Sequence, residues 1–319
     1  MRILRVGVEM LENSHKLRVT ISGLTFRNPT ILASGILSST PGLIRRVVFN
    51  GGAGGVTYKT VTLKPRSGYS NPVVAVVKAG VINCMGLPNP GLNGVLEDII
   101  QVRKILPQNV PLIASLASSD PGEAQFIAGR LEDAGVNALE LNLSCPHTKR
   151  LGLEVSHDIK LTESIVESVK SVTRIPLFVK LGLQDNIVEL ARRVEGKGAD
   201  VIVAINTVKA MAIDVYARKP VLSNIYGGLS GPAIHPIAVR VVYELYENVS
   251  IPIIGVGGVE DWYDALELIL AGAKAVEIGT AIYRKGIGVF REVCRGILEY
   301  IESEGFNTVN DLVGLAHKR

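Results

Sequence analysis

The strongest chemical signal in this 319-residue chain is the run Leu141-Asn-Leu-Ser-Cys-Pro-His147. An apolar strand pattern ends there and a loop begins, so Cys145 stands at a strand mouth and not inside a core. Once ionised, its thiol can act as a nucleophile or a proton acceptor. A small buried hydrophobe is the competing reading. Asn142 favours the chemical one, because a polar amide closing an apolar strand needs a hydrogen-bonding partner or ligand. His147 fits substrate contact, assistance to Cys145 or a plain loop position.

Two lysines add a second demand. Tyr58-Lys-Thr60 and Val179-Lys180 each close an apolar run, and an ammonium buried without a partner is very costly. Lys59 and Lys180 must therefore reach a polar cavity, where they can hold an anionic substrate and the electron-rich edge of a reduced flavin. Asn83-Cys-Met-Gly-Leu87 and Asn206-Thr207 supply neutral donors and acceptors. Later come Ile254-Gly-Val-Gly-Gly258 and Glu277-Ile-Gly-Thr280. Such glycines serve tight turns, or let unpaired N–H groups approach a phosphate. The dinucleotide pattern G-x-G-x-x-G is absent, so the phosphate need not belong to NAD, and FMN is the natural candidate. His15, His157, His235 and His317 are scattered and receive no role.

These residues need elements to position them. Short apolar runs recur at Thr30–Ser34, Gly55–Thr60, Pro111–Ala117, Ala138–Ser144, Pro176–Leu181, Asp200–Asn206, Ile251–Val256 and Ala275–Gly279. They are continuous and not alternating, as in parallel strands covered on both faces. Helical patterns lie between them. Over His157–Val172 the apolar set is Leu161, Ile165, Val169 and Val172; Ile187, Leu190, Ala191 and Val194 repeat it, as do Trp262, Leu266 and Ile269. Eight strand–helix units predict an α/β fold, a closed (β/α)8 TIM barrel, with phosphate loops after strands seven and eight. Two connections, Val61–Pro90 and Val208–Ile234, are too long for simple turns and follow the carboxyl ends of strands, where long loops are usually functional. Leu17–Ile21 and Leu24–Phe26 flank Ser22-Gly23 as a small hairpin expected to close the other end.

Bulk properties exclude several classes. Hydrophobic residues make up 47% and charged residues 20%, which suits a globular protein with a full core. The net charge of +4 lacks the dense basic stripe of a nucleic-acid surface. Cys84, Cys145 and Cys294 form no CxxC pair, which argues against a disulfide framework, a zinc site or a four-cysteine cluster. They suit a reducing cytoplasm. No run reaches the roughly 18 to 20 apolar residues that cross a bilayer, and the first eleven residues lack a signal-peptide core. We expect one FMN-binding barrel domain over residues 1–319, with 1–16 a candidate extension outside the barrel. Met10 is a candidate start that would leave residues 1–9 outside the fold.

Together these segments resemble dihydroorotate dehydrogenases, from about Leu17 to the last helix. The resemblance is carried by Ala33-Ser-Gly35, Lys59-Thr60, Asn83–Leu87, Asn142 to Cys145, Asn206-Thr207 and the two glycine motifs. Most specific is Ala204–Pro236, "AINTVKAMAIDVYARKPVLSNIYGGLSGPAIHP", which is similar to class 1B catalytic chains. The resemblance implies FMN across the barrel mouth. Ser34, Lys59, Thr60, Ser115, Asn142, Lys180, Ile205 and Gly231 would then line its ring and ribityl chain, with Gly257, Gly258, Gly279 and Thr280 at its phosphate. Ser115 stands where the family often has an asparagine near the flavin. By the same resemblance Lys59, Asn83, Cys84, Met85, Gly86, Leu87, Asn142, Asn206 and Thr207 surround the pyrimidine. Cys145 would take the C5 proton of dihydroorotate while a hydride leaves C6. Class 2 enzymes use serine as base and carry an N-terminal membrane segment.

The resemblance also implies a homodimer or heterotetramer with a second subunit carrying FAD and an iron–sulfur cluster. His147 departs from the usual substrate-binding asparagine. A Cys-Pro-His run occurs in the related flavin domain of dihydropyrimidine dehydrogenase, so a uracil-type dehydrogenase is the alternative. A cofactor-free barrel isomerase acting on a phosphorylated sugar and a flavin-binding protein without catalysis are the other readings weighed.

Overall fold

The computed structural model describes residues 15–143 and 156–318. Cys145, His147 and residues 1–14 lie outside them. After a single turn at His15–Leu17 the chain forms the hairpin β1 (Val19–Ile21) and β2 (Leu24–Phe26). Ser22 and Gly23 have φ of 46° and 80°, the positive values that a two-residue hairpin turn with the right twist requires. Ser22 Oγ donates to the Asp200 carbonyl at 3.0 Å, just before a barrel strand begins. The hairpin therefore lies at the amino end of the barrel, as expected.

Next come β3 (Thr30–Leu32) and β4 (Gly55–Val61), then an excursion with β5 (Val74–Val77) and β6 (Gly80–Asn83). The strands β7 (Leu112–Leu116), β8 (Ala138–Asn142), β9 (Leu177–Leu181) and β10 (Val201–Ala204) follow. A second excursion holds β11 (Val208–Ala210), β12 (Ile213–Asp214), β13 (Lys219–Pro220) and β14 (Gly227–Ser230), and β15 (Ile253–Val256) and β16 (Ala273–Ile278) complete the set. The strands β3, β4, β7, β8, β9, β10, β15 and β16 close in that order into an eight-stranded parallel barrel, the fold that the strand–helix alternation predicts. Three expected strands shorten at a proline, because Pro111, Pro176 and Pro252 have no N–H to donate. Their carbonyls still accept, from Val56, Leu139 and Ile202 respectively.

The helices cover the barrel through apolar stripes. Ile187, Leu190, Ala191 and Val194 are buried as expected. In Ile159–Val172 the buried face is Thr162, Ile165, Val166 and Val169, while Val172 is half-exposed at the helix end. That helix starts two residues later than expected, because the Asp158 side chain caps it by accepting from Leu161 N. Trp262 packs where Gly296 of the last helix leaves room: a Cβ there would come within 2.1 Å of the indole. Among the described residues no helix is long and apolar enough to cross a membrane.

The two long excursions meet. β11, β14, β6 and β5 form one antiparallel sheet, with Gly228 opposite Asn83 and Ser230 opposite Val81. The seam depends on missing side chains: a Cβ on Gly80 would stand 2.1 Å from the Ser230 carbonyl oxygen, and one on Gly227 2.6 Å from that of Asn83. Overpacking costs about 1–3 kcal/mol, so Gly80→Val is expected to open this sheet while the barrel persists. Limited proteolysis within residues 62–90 or 208–234 should accelerate roughly tenfold or more. Far-UV circular dichroism should keep its helical signal. Cleavage no faster than in the wild type would contradict this account of the seam.

Candidate active site

A cavity of about 490 Å³ opens at the carboxyl ends of the barrel strands, between them and the excursion sheet. That volume lies within the range of small-molecule sites. Its wall on β4 rests on an irregularity. The register between β4 and β7 shifts between Tyr58 and Val61, and such a shift re-aims side chains. Consecutive residues Lys59 and Thr60 consequently both line the cavity, which regular alternation would forbid.

A neutral polar network runs along this wall. Thr60 N donates to Ser34 Oγ at 3.1 Å, and Ser34 Oγ donates to the Tyr58 carbonyl at 3.1 Å. Asn142 Nδ2 donates to Thr60 Oγ1 at 3.2 Å, and the Thr60 and Ser115 hydroxyl oxygens are 3.0 Å apart. The Asn142 amide is thereby oriented before any ligand arrives. Tyr58 donates to the Ser39 carbonyl at 3.0 Å; burial, helped by Asp98, pushes its hydroxyl pKa up and keeps it neutral.

Beneath lies a buried charge cluster. Lys180 Nζ donates to Glu277 Oε2 at 2.5 Å and stands 3.7 Å from Glu140 Oε2. Thr57 Oγ1 donates to Glu277 Oε1 at 2.8 Å, so both Glu277 oxygens are satisfied. Glu140 is treated differently. Its residue is fully buried, and neither carboxyl oxygen has a hydrogen-bond partner among the described residues. Ser115 and Glu277 lie near enough to act on it but outside hydrogen-bonding geometry. Burial therefore raises its pKa to about 7; Lys180 opposes the rise and Glu277 adds to it. For Lys180, burial alone would lower the pKa, but Glu140 and Glu277 outweigh it and hold the ammonium charged above its ordinary range.

The glycine loops close the far end. Gly257 and Gly258 have φ of 137° and 71°, values that exclude most side chains. A Cβ on Gly258 would meet His235 Cβ at 2.6 Å and the Gly231 carbonyl oxygen at 2.8 Å. His235 Nδ1 donates to the Gly257 carbonyl at 2.8 Å, and its Nε2 lies 3.1 Å from Glu267. His235, given no role from sequence, thus fixes the Gly257 peptide.

The cavity gathers most of the expected residues: Ser34, Lys59, Thr60, Asn83, Met85, Leu87, Asn142, Lys180, Ile205, Asn206, Thr207, Gly257, Gly258, Gly279 and Thr280. Four others do not line it. Ser115 is buried behind Thr60. Cys84 turns the other way, into a small core with Ala75, Ile82 and Leu222. Gly86, at φ 75°, packs on Tyr69, and Gly231 stands behind Gly258. Sequence reasoning missed Glu140 and Glu277, which also line the cavity. The signal was present in Leu139-Glu-Leu141 and Val276-Glu-Ile278: a carboxylate in an apolar strand makes the same demand as the lysines do.

Comparison with known proteins agrees with this architecture. The family model for dihydroorotate dehydrogenase matches residues 16–301. The Pyrococcus furiosus protein named dihydroorotate dehydrogenase B (NAD(+)), catalytic subunit, is 48% identical over 303 residues, covering 95% of this chain and 99% of that one. The protein of the same name from Pyrococcus horikoshii is also 48% identical over 303 residues, covering 95% and 98%. Dihydroorotate dehydrogenase from Eimeria tenella, crystallised in complex with ferulenol, has a TM-score of 0.84 at 25% identity, covering 100% of this chain and 94% of that one.

The buried carboxyl makes stability depend on pH. A glutamate titrates near ~4.3 when unfolded, whereas Glu140 titrates at about 7 in the fold. The folded state therefore binds the extra proton. Its contribution is complete below about pH 4.3 and is lost as pH rises toward 7. Relative to E140Q, the wild type should lose roughly 1 kcal/mol per pH unit across that window and level off above it. Urea unfolding of both proteins at several pH values measures this. Parallel stability curves would refute it.

Proposed function

The chain belongs to the dihydroorotate dehydrogenase family, and on that premise we propose how this cavity is used. Enzymes of this family oxidise dihydroorotate to orotate in pyrimidine biosynthesis and depend on FMN. The observation that carries the reading is the convergence, in one cavity, of two lysines, Asn142 and both glycine loops.

The residues present fit FMN. Gly257 and Gly258 form a cradle whose backbone a Cβ would block, and with Gly279 and Thr280 they would hold the phosphate. Ser34, Lys59, Thr60, Asn142, Lys180 and Ile205 would line the ring and ribityl chain, with Ser115 and Gly231 supporting from behind. The dihydroorotate carboxylate suits the Lys59 ammonium, and Asn83, Met85, Leu87, Asn142, Asn206 and Thr207 would enclose the pyrimidine. Gly86 and Cys84 would act through the shape of that loop. When bound, FMN accepts the hydride that leaves C6 of dihydroorotate.

The remaining chemistry belongs to the chain. Cys145, as thiolate, would take the C5 proton, so that loss of H⁺ and H⁻ leaves the new C5–C6 double bond of orotate. It follows Asn142 by three residues, and Asn142 faces the cavity, which supports a base delivered from the same strand end. Asn142, held by Thr60, would fix the substrate edge while the excursion sheet excludes water.

Electrons must then leave. The Pyrococcus relatives are, by name, catalytic subunits of an NAD(+) enzyme. We take this chain to work in the same way, as one FMN-binding domain in a cytoplasmic homodimer or heterotetramer. Its second subunit would carry FAD and an iron–sulfur cluster.

The first test is an anaerobic absorbance spectrum of the purified protein. A flavin band near ~450 nm should bleach with dihydroorotate and persist with dihydrouracil. Bleaching by dihydrouracil alone would transfer the assignment to a uracil-type enzyme. A free thiol titrates near ~8.5, so the reduction rate should rise between about pH 6 and 9. Cys145→Ser should keep the flavin and slow reduction by about 10²- to 10⁴-fold. A full rate in that variant would remove Cys145 as base, and rapid NAD⁺ reduction by the isolated chain would remove the electron-transfer subunit.

A further inference from the structure

The floor of the cavity holds the Lys180 ammonium and two carboxyls, all three with little exposed surface. Lys180, Glu140 and Glu277 are at most 5% exposed, and all three line the cavity. They come from three separate strands, β9, β8 and β16. Glu277 is a fully bonded carboxylate, held by Lys180 and Thr57. Glu140 lines the same space, and among the described residues neither of its oxygens has a hydrogen-bond donor. A packing role alone would be served better by leucine or methionine, since burying a carboxyl without hydrogen-bond donors is costly. Glu140 sits 3.7 Å from the one ammonium of the floor, so its charge acts directly on that group.

We propose that Glu140 is a positioning residue for the redox step: its carboxyl takes up a proton when negative charge arrives above Lys180, and it thereby sets the pH dependence of the cofactor's potential. The proposal rests on FMN lying over Lys180. The balance is simple. A hydride from dihydroorotate adds two electrons, one proton and one negative charge to the flavin. One proton from solvent bonds to a Glu140 carboxylate oxygen and cancels that charge. The groups that face Glu140 are Lys180 from β9, Glu277 from β16 and the neutral Ser115 hydroxyl from β7. A carboxyl that titrates at about 7 can make this exchange at working pH, while Lys180 stays charged throughout.

The test is the midpoint potential of FMN-loaded wild type and E140Q against pH, by equilibration with redox dyes. The amide mimics the protonated acid, so the two proteins should agree below about pH 6. By about pH 9 the wild type should lie lower, by a roughly tenfold change in the reduced-to-oxidised ratio, about 30 mV for two electrons. The flavin's own ionisation is common to both and cancels in the difference. Coincident curves over the whole range would overturn the proposal. Infrared difference spectra of the wild type alone, reduced minus oxidised at about pH 8, provide an independent reading. They should show a protonated carboxyl gained on reduction, and its absence would overturn the proposal even if E140Q failed to fold. Protein that binds no FMN would instead refute the placement of the cofactor, and the proposal would fall with it.

Discussion

A single ammonium enclosed in a β-barrel constrains much of what surrounds it. Lys180 is 5% exposed, and a lone charge at that depth would discharge or unfold the site. The barrel answers with carboxyls from two other strands. Glu277 binds Lys180 directly and is itself steadied by Thr57. Breaking such a buried pair by removing one partner typically costs about 3–5 kcal/mol, so the strands that carry the three groups cannot drift in register independently. Glu140 pairs with Phe178 across β8 and β9, and Lys180 with Asn142. The register that supports the charge cluster therefore also sets the height of the Asn142 amide.

Above this floor, preorganisation comes from backbone irregularity and missing side chains. The β4 irregularity sends Lys59 and Thr60 to the same cavity. Positive φ at Gly257 and Gly258 shapes a loop that lines the cavity, and His235 ties the Gly257 carbonyl down. Gly80 and Gly227 let two excursions, separated by more than a hundred residues, pair as one sheet. Each device costs local conformational freedom, and the closed ring of buried barrel strands beneath supplies the rigidity that maintains it.

Much of this was legible because strand and helix periodicities are local. Eight apolar runs with helical stripes between them dictate parallel strands with crossovers, and closure follows from their number. Lysines at strand ends announced a cavity. The same logic applied to Glu140 and Glu277 would have disclosed the cluster, but a charge in a strand does not name its partner. Cys84 shows the opposite limit. It adjoins Asn83 and Met85, which line the cavity, yet its side chain enters a separate core. Residue type and neighbourhood could not decide which way it faces.

Sequence alone determined the barrel, the end at which the cavity opens, the two glycine loops that line it and the family. All of these rest on patterns within a few turns of chain or on motifs of contiguous residues. Only the tertiary structure decided that Lys180 is shared by two carboxyls, that Thr60 and Asn142 are bonded to each other, and that the two excursions form one roof. The physical reason is distance along the chain. Lys180 and Glu277 are 97 residues apart and Thr60 and Asn142 are 82 apart, and only closure of the barrel brings them within hydrogen-bonding reach.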